Sequence, residues 1–375
     1  MTDTSYAKVG KRVKKSKLNP IGWEPTTRIS PDEVAVITFP GSDANDSKKA
    51  NGFAKAIQNI LKNKKIPIYS VEYGFNGRNA VADRDALLNL YDQGTAEEIY
   101  KYRRTESPDY IPNYIYDIYK TIIAPRLRND DGTKASISTI SQRLNKLVFV
   151  NHCQGSTVAF QLERLLEKDL DNLGYSKSVQ SFLLKQVHNI HLAPVTPYGK
   201  TKTTTFKFLS LSDKKATSIR HNRLSYIRKR KKEHQKFLDN IKEKHSSPPT
   251  TTPFSMDFSV IRPTSNETIF AVNNFYPLEH QELYNDTQTD IEHCFDTFYE
   301  KDDEYRTKQG DRLSQTFIEL VNYLVEHACK NQKEYTELPS IFNTRRFSTI
   351  IKSAEQNRHK LYKQEISLMR KNKER

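Results

Sequence analysis

The stretch LVFVNHCQGSTVAFQLERLL, residues 147–166, leaves few folds open. Leu147, Val148, Phe149 and Val150 form a short run that is apolar at every position. A strand with no polar face must be covered on both sides, which is the situation of a central strand in a parallel sheet flanked by helices. The segment that follows Gly155 carries apolar residues at helical spacing. Between the two patterns lies only Asn151-His152-Cys153-Gln154-Gly155, so the chain must turn tightly from strand to helix with Cys153 at the tip.

The rest of the chain repeats this alternation. Short apolar runs predict strands near 34–39, 67–72, 187–193, 206–212 and 268–273, with helical patterns over 47–63, 155–168 and 313–328 and Tyr-rich helical material within 83–146. Strands alternating with helices predict an α/β protein with a mostly parallel sheet. The 375 residues suffice for one large domain, placed at 31–330. Residues 1–30 are basic and read as a disordered segment. Residues 214–253 read as a basic helical insertion and 331–375 as a basic helical tail.

Composition narrows the setting. Hydrophobic residues make up 36% of the chain and no apolar run reaches membrane-spanning length. The N-terminus lacks the apolar centre of a secretory signal. The three cysteines, Cys153, Cys294 and Cys329, give neither a disulfide framework nor metal-ligand spacing. These features predict a cytoplasmic protein, or one delivered to another cell without a signal peptide, with peripheral membrane attachment open. The net charge of +15 favours acidic partners.

At residues 151–155 the sequence resembles the α/β-hydrolase superfamily, its lipase and esterase branch above all. The usual string there is Gly-His-Ser-Gln-Gly-Gly, and His152, Gln154 and Gly155 are shared with it. Two residues depart: Cys153 stands where Ser is usual, and Asn151 where a small Gly is usual. Cysteine nucleophiles occur at this turn in dienelactone-hydrolase-like members. Asn accepts unusual backbone angles better than most residues. Outside this setting the ordinary fate of such a Cys is burial as a small core residue.

The resemblance implies a nucleophile, then an acid, then a histidine in chain order. Asp213, at the carboxyl end of FKFLSLSD, is the candidate acid; a turn-forming Asp is the alternative. His293 in DIEHCFDTFY and His280 in YPLEHQEL are the candidate bases. The thiolate is the attacking form of cysteine, so an imidazole must take the proton. The developing oxyanion needs aimed N–H donors. The backbone N–H of Gln154 is one candidate, and that of Gly41 or Ser42, after the first predicted strand, is the other. The implied activity is hydrolysis of an ester or thioester, most plausibly of a lipid, through an acyl-enzyme. The rival reading is a catalytically silent hydrolase fold used as a binding module.

Residues 220–236 carry a dense positive run, including Arg228, Lys229, Arg230, Lys231 and Lys232. Such a run suits an anionic membrane surface, nucleic acid (the less favoured of the two) or a solvated helix face. Tyr100, Tyr102, Tyr110, Tyr114, Tyr116 and Tyr119 read as core or lid packing, or as an acyl-chain cleft. No phosphate-binding glycine loop and no zinc spacing occurs, so no cofactor and no metal are expected.

Overall fold

The computed structural model describes residues 5–41, 47–61, 64–75, 113–194, 201–210, 259–272 and 308–329, with 348, 349 and 352. Among the described residues nine strands form one sheet in the order β2-β1-β4-β3-β5-β6-β7-β9-β8. These are β1 (Ser5–Arg12), β2 (Trp23–Thr26), β3 (Ala35–Phe39), β4 (Ile68–Phe75), β5 (Leu147–His152), β6 (His188–Leu192), β7 (Thr204–Ser210), β8 (Ser259–Thr264) and β9 (Glu267–Val272). The six strands from β4 to β9 that make up the centre pair in parallel. Only β1, with β2 and β4, and β8, with β9, run antiparallel.

Helices cover both faces, as the doubly apolar strands require. On one face α1 (Ser47–Ile60) and the long helix Lys308–Cys329 pack Phe53, Ile57, Phe317, Leu320 and Leu324 against Val36, Val148, Val150, Ile190, Phe206 and Phe270. On the other lie α2 (Asn113–Ile122), α3 (Ile137–Asn145), α4 (Gly155–Asn172) and α5 (Lys177–Leu184). These helices bury Ile118, Leu144, Leu162 and Leu183 against Ile37, Phe39, Val71 and Phe149. The helix Lys308–Cys329 is α6 in chain order. Successive residues of β3 and β5 thus enter opposite cores, as strand geometry demands.

Arg126, fully buried in the turn after α2, locks the lower end of this assembly. Its guanidinium donates to the carbonyls of Pro31 at 2.6 Å, Arg143 at 2.8 Å, Glu33 at 3.0 Å and Ile122 at 3.3 Å. Burial lowers its pKa to about 10, with Glu33 and Asp32 opposing the shift. It therefore stays charged near neutrality and ties the start of β3 to α2 and α3.

The six expected strands are present, and three further strands lie at the margins of the sheet. Within the segment 1–30, read from sequence as disordered, Ser5–Arg12 and Trp23–Thr26 form β1 and β2. β1 pairs with the free side of β4 from Ser5↔Phe75 to Lys11↔Tyr69, burying Val9. The hairpin to β2 is tied by Asn19, whose Oδ1 accepts from the N–H groups of Gly22 at 2.9 Å and Trp23 at 3.2 Å. The edge strands β2 and β8 contain Pro25 and Pro263. Proline argues against a strand in sequence but is tolerated at a sheet edge, where one side needs no ladder bonds. The insertion 214–253 and nearly all of the tail lie outside the described residues. Among the described residues no helix is long and apolar enough to cross a membrane.

Two histidines of β6 make stability depend on pH. Burial, and then the neighbouring His327, lower the pKa of His188 from 6.5 to about 3. His191 is lowered well below 6.5 by burial and by Lys207. Below pH 6.5 the unfolded chain takes up protons that the folded chain refuses, so stability present above 6.5 is lost as pH falls toward 3. Urea unfolding between pH 7.5 and 4.5 should show this loss, with a slope of up to roughly 1.4 kcal/mol per pH unit for each histidine. His188→Gln, which can still bond Asn145, should flatten it; an unchanged slope would refute the assignment.

Candidate functional site

The chain leaves β3 toward α1 on one face and leaves β5 toward α4 on the other. Adjacent parallel strands whose connections part in this way open a crevice at their carboxyl ends, where α/β sheets place ligands. Gly41 follows β3 and Cys153 follows β5, so these two residues lie where the two connections part.

Cys153 is partly exposed and has a φ of +48°. Ala193, directly after β6, has a φ of +44°; the described residues contain no other non-glycine residue at positive φ. Both extend their strand's ladder by one bond before turning. Cys153 N–H donates to Leu192 O at 3.0 Å and Ala193 N–H to Phe208 O at 2.9 Å. Such left-handed residues cost about 1–2 kcal/mol each and are retained where surrounding structure over-determines them. Here the Cys153 carbonyl accepts both Ser156 N–H, at 3.0 Å, and Ser156 Oγ–H, at 2.7 Å, which fixes the turn from its other side.

Gly155 begins α4 in direct contact with β3. A Cβ built there would lie 2.2 Å from the Phe39 carbonyl oxygen and 2.8 Å from its carbon, so only glycine fits. Gly41 packs on the turn itself: a Cβ at Gly41 would lie 3.2 Å from Cys153 Cβ and 3.1 Å from His152 Nδ1. The ring of His152 lies 6.3 Å from that of Phe53. Gln154, with φ −61° and ψ −24°, caps the start of α4 without a side-chain bond.

Asn151 does not use the conformational freedom expected of it, since its φ is negative and it continues the strand. It is fully buried, and its amide Nδ2 donates to Ile190 O at 3.2 Å and lies 3.4 Å from Asn189 Oδ1. Asn189 in turn donates to Thr203 Oγ1 at 3.0 Å, and Thr203 Oγ1–H to Glu163 of α4 at 2.6 Å. Glu163 also accepts the backbone N–H groups of Lys202 and Thr203, at 2.9 and 3.0 Å. Beside this chain lies the fully buried pair Lys207–Glu267, at 3.0 Å. These residues share the sheet face beneath α4, where the apolar strand pattern predicts no polar group.

The structure therefore brings together Cys153, Gln154 and Gly41. Ser42, Asp213, His280, His293 and Arg228–Lys232 lie outside the described residues. The segments bearing them follow the carboxyl ends of β3, β7 and β9. Tyr73 of β4 escaped the sequence reading. It is buried beside this turn, and its hydroxyl donates to Pro40 O. Tyr114, one of the clustered tyrosines, stacks on it with centroids 5.7 Å apart and planes at 9°. Among the described residues no group of three or more His, Cys, Asp and Glu converges as a metal site. No protein-family model matches the chain, and no curated protein matches it in sequence.

Gly155 and Gly52, each in a helix, respond oppositely to an added methyl group. Gly155→Ala should lower stability by about 1–3 kcal/mol, the usual range for overpacking, because the Phe39 backbone cannot give way. Gly52→Ala in α1, where a Cβ meets nothing within 4 Å, should raise it by about 0.5–1 kcal/mol. Urea midpoints of the two variants measured together check the pair; equal shifts would rule out the close contact.

Proposed function

We propose that this chain is an α/β-hydrolase-type enzyme that cleaves an ester or thioester through Cys153. The observation that carries the reading is the left-handed turn at Cys153, between a central parallel strand and a helix whose first residue must be glycine, with the Gly41 loop against it.

In this reading a histidine, His293 or His280, takes the Cys153 proton, and Asp213 orients that imidazole. The thiolate forms a bond to the acyl carbon, and the carbonyl electron pair moves onto oxygen. The N–H of Gln154, with that of Gly41 or Ser42, receives the negative charge. Collapse breaks the bond to the leaving alcohol or thiol, which takes its proton from the imidazolium. Water, deprotonated by the same imidazole, then attacks the thioester carbon; the C–S bond breaks, the carboxylic acid leaves, and the Cys153 sulfur regains its proton from the imidazolium. By the resemblance to lipases and esterases a lipid acyl chain is the favoured substrate, and the basic run 220–236 would hold the protein at an anionic membrane surface.

The test uses a chromogenic short-chain ester and an acyl thioester. Cys153→Ala should abolish turnover of both, because no acyl-enzyme can form. His293→Ala and His280→Ala, compared for turnover and for alkylation of Cys153 by iodoacetamide, identify the base. Asp213→Asn should reduce turnover less than loss of the nucleophile does. A native protein whose Cys153 resists alkylation and which turns over neither substrate would instead be a silent hydrolase fold that docks through its basic surface.

A further inference from the structure

We propose that Tyr73 is a positioning residue of this same site: its hydroxyl holds the Pro40-Gly41 loop so that the Gly41 amide is aimed at the oxyanion formed on a substrate bound to Cys153. The inference rests on the reading above and adds to it the element that sets the loop.

Tyr73 lies near the carboxyl end of β4, the neighbour of β3, with 5% of its surface exposed. Its hydroxyl has one proton and two carbonyls in reach. It donates to Pro40 O, and Gly41 O lies 3.5 Å away. A trans peptide is planar and its N–H points opposite to its C=O. Holding the Pro40 carbonyl toward Tyr73 therefore turns the Gly41 N–H away from Tyr73. Gly41 itself sits against Cys153, its missing Cβ 3.2 Å from the cysteine Cβ.

Pro40 and Gly41 have few means of their own to take this set. Pro40 has no N–H with which to fix it, and Gly41 has no side chain and wide conformational freedom. A loop of that composition samples several orientations unless a neighbour selects one. Tyr73 is well suited to select it. The ring is pinned by its stack on Tyr114, on the first turn of α2. Burial raises the phenol pKa well above 10, with Tyr114 and Cys153 adding to the effect, so the hydroxyl remains a neutral donor over the whole working pH range.

Tyr73→Phe keeps the ring and its stack and removes only the hydroxyl. Two reactions of the same sulfur separate loop aim from everything else. Acyl transfer to Cys153 develops an oxyanion; alkylation of Cys153 by iodoacetamide does not. In Tyr73→Phe, kcat for a chromogenic short-chain ester should fall about tenfold to a hundredfold, somewhat less than the loss of a whole oxyanion donor. KM and the pH profile and rate of Cys153 alkylation should stay those of the parent. Parallel losses of turnover and alkylation would mean that Tyr73 acts on the thiol or on folding, and would overturn the proposal. Undiminished turnover would overturn it too. Should Tyr73→Phe fail to fold, Tyr114→Leu, which leaves the hydroxyl but removes its support, must show the same split. A parent protein with no acyl turnover sinks the proposed function and the clamp together; a parent that turns over beside an equally active Tyr73→Phe sinks the clamp alone.

Discussion

The contact between Gly155 and the Phe39 carbonyl is the constraint on which the upper edge of the molecule depends. It brings the start of α4 across the end of β3 closer than any residue with a side chain permits. With the helix that near, the chain leaving β5 has room for only two residues, Cys153 and Gln154. The first of them must take a left-handed conformation to make the turn. The exposure of the Cys153 side chain, its place beside Gly41 and the direction of α4 all follow from that one approach. A strained backbone at such a point is held by what surrounds it: the ladder bond to Leu192 below and the two bonds from Ser156 above.

Beneath the turn, rigidity comes from polar groups. Asn151, Asn189, Thr203 and Glu163 form a bonded chain across β5, β6, the start of β7 and α4. Each group is buried, and a buried polar atom left unbonded costs about 1–3 kcal/mol. The network therefore tolerates little displacement of any member. It fixes the height of α4 over the sheet two turns beyond Gly155, so the helix is held at its first residue by sterics and farther along by hydrogen bonds. The adjacent Lys207–Glu267 pair extends the same logic to β7 and β9, the strands whose carboxyl ends lead to Asp213 and the two candidate histidines. Removing one partner of a fully buried pair leaves an uncompensated charge, so both strands share one register.

The sequence by itself determined the fold class and the position of Cys153. Runs such as EVAVITF and LVFVN carry no polar face, and this alone demands a sheet covered on both sides. Only five residues separate the strand pattern from the helix pattern at 147–166, so a tight turn was unavoidable. Margins and side-chain neighbours were not legible. β1 mixes lysines with small residues, and β2 and β8 contain prolines; these become strands because β4 and β9 offer them an edge. Asn151 looked like a turn residue and is a buried anchor, because its partners Asn189 and Ile190 are nearly forty positions away. Tyr73 is unremarkable within IYSVEYGF, and its significance arises only when β4 is laid beside β3 and its hydroxyl meets the Pro40 carbonyl. Local periodicity fixes which residues are buried and where the chain turns; which buried groups meet is decided by strand order and register, and these are properties of the folded sheet.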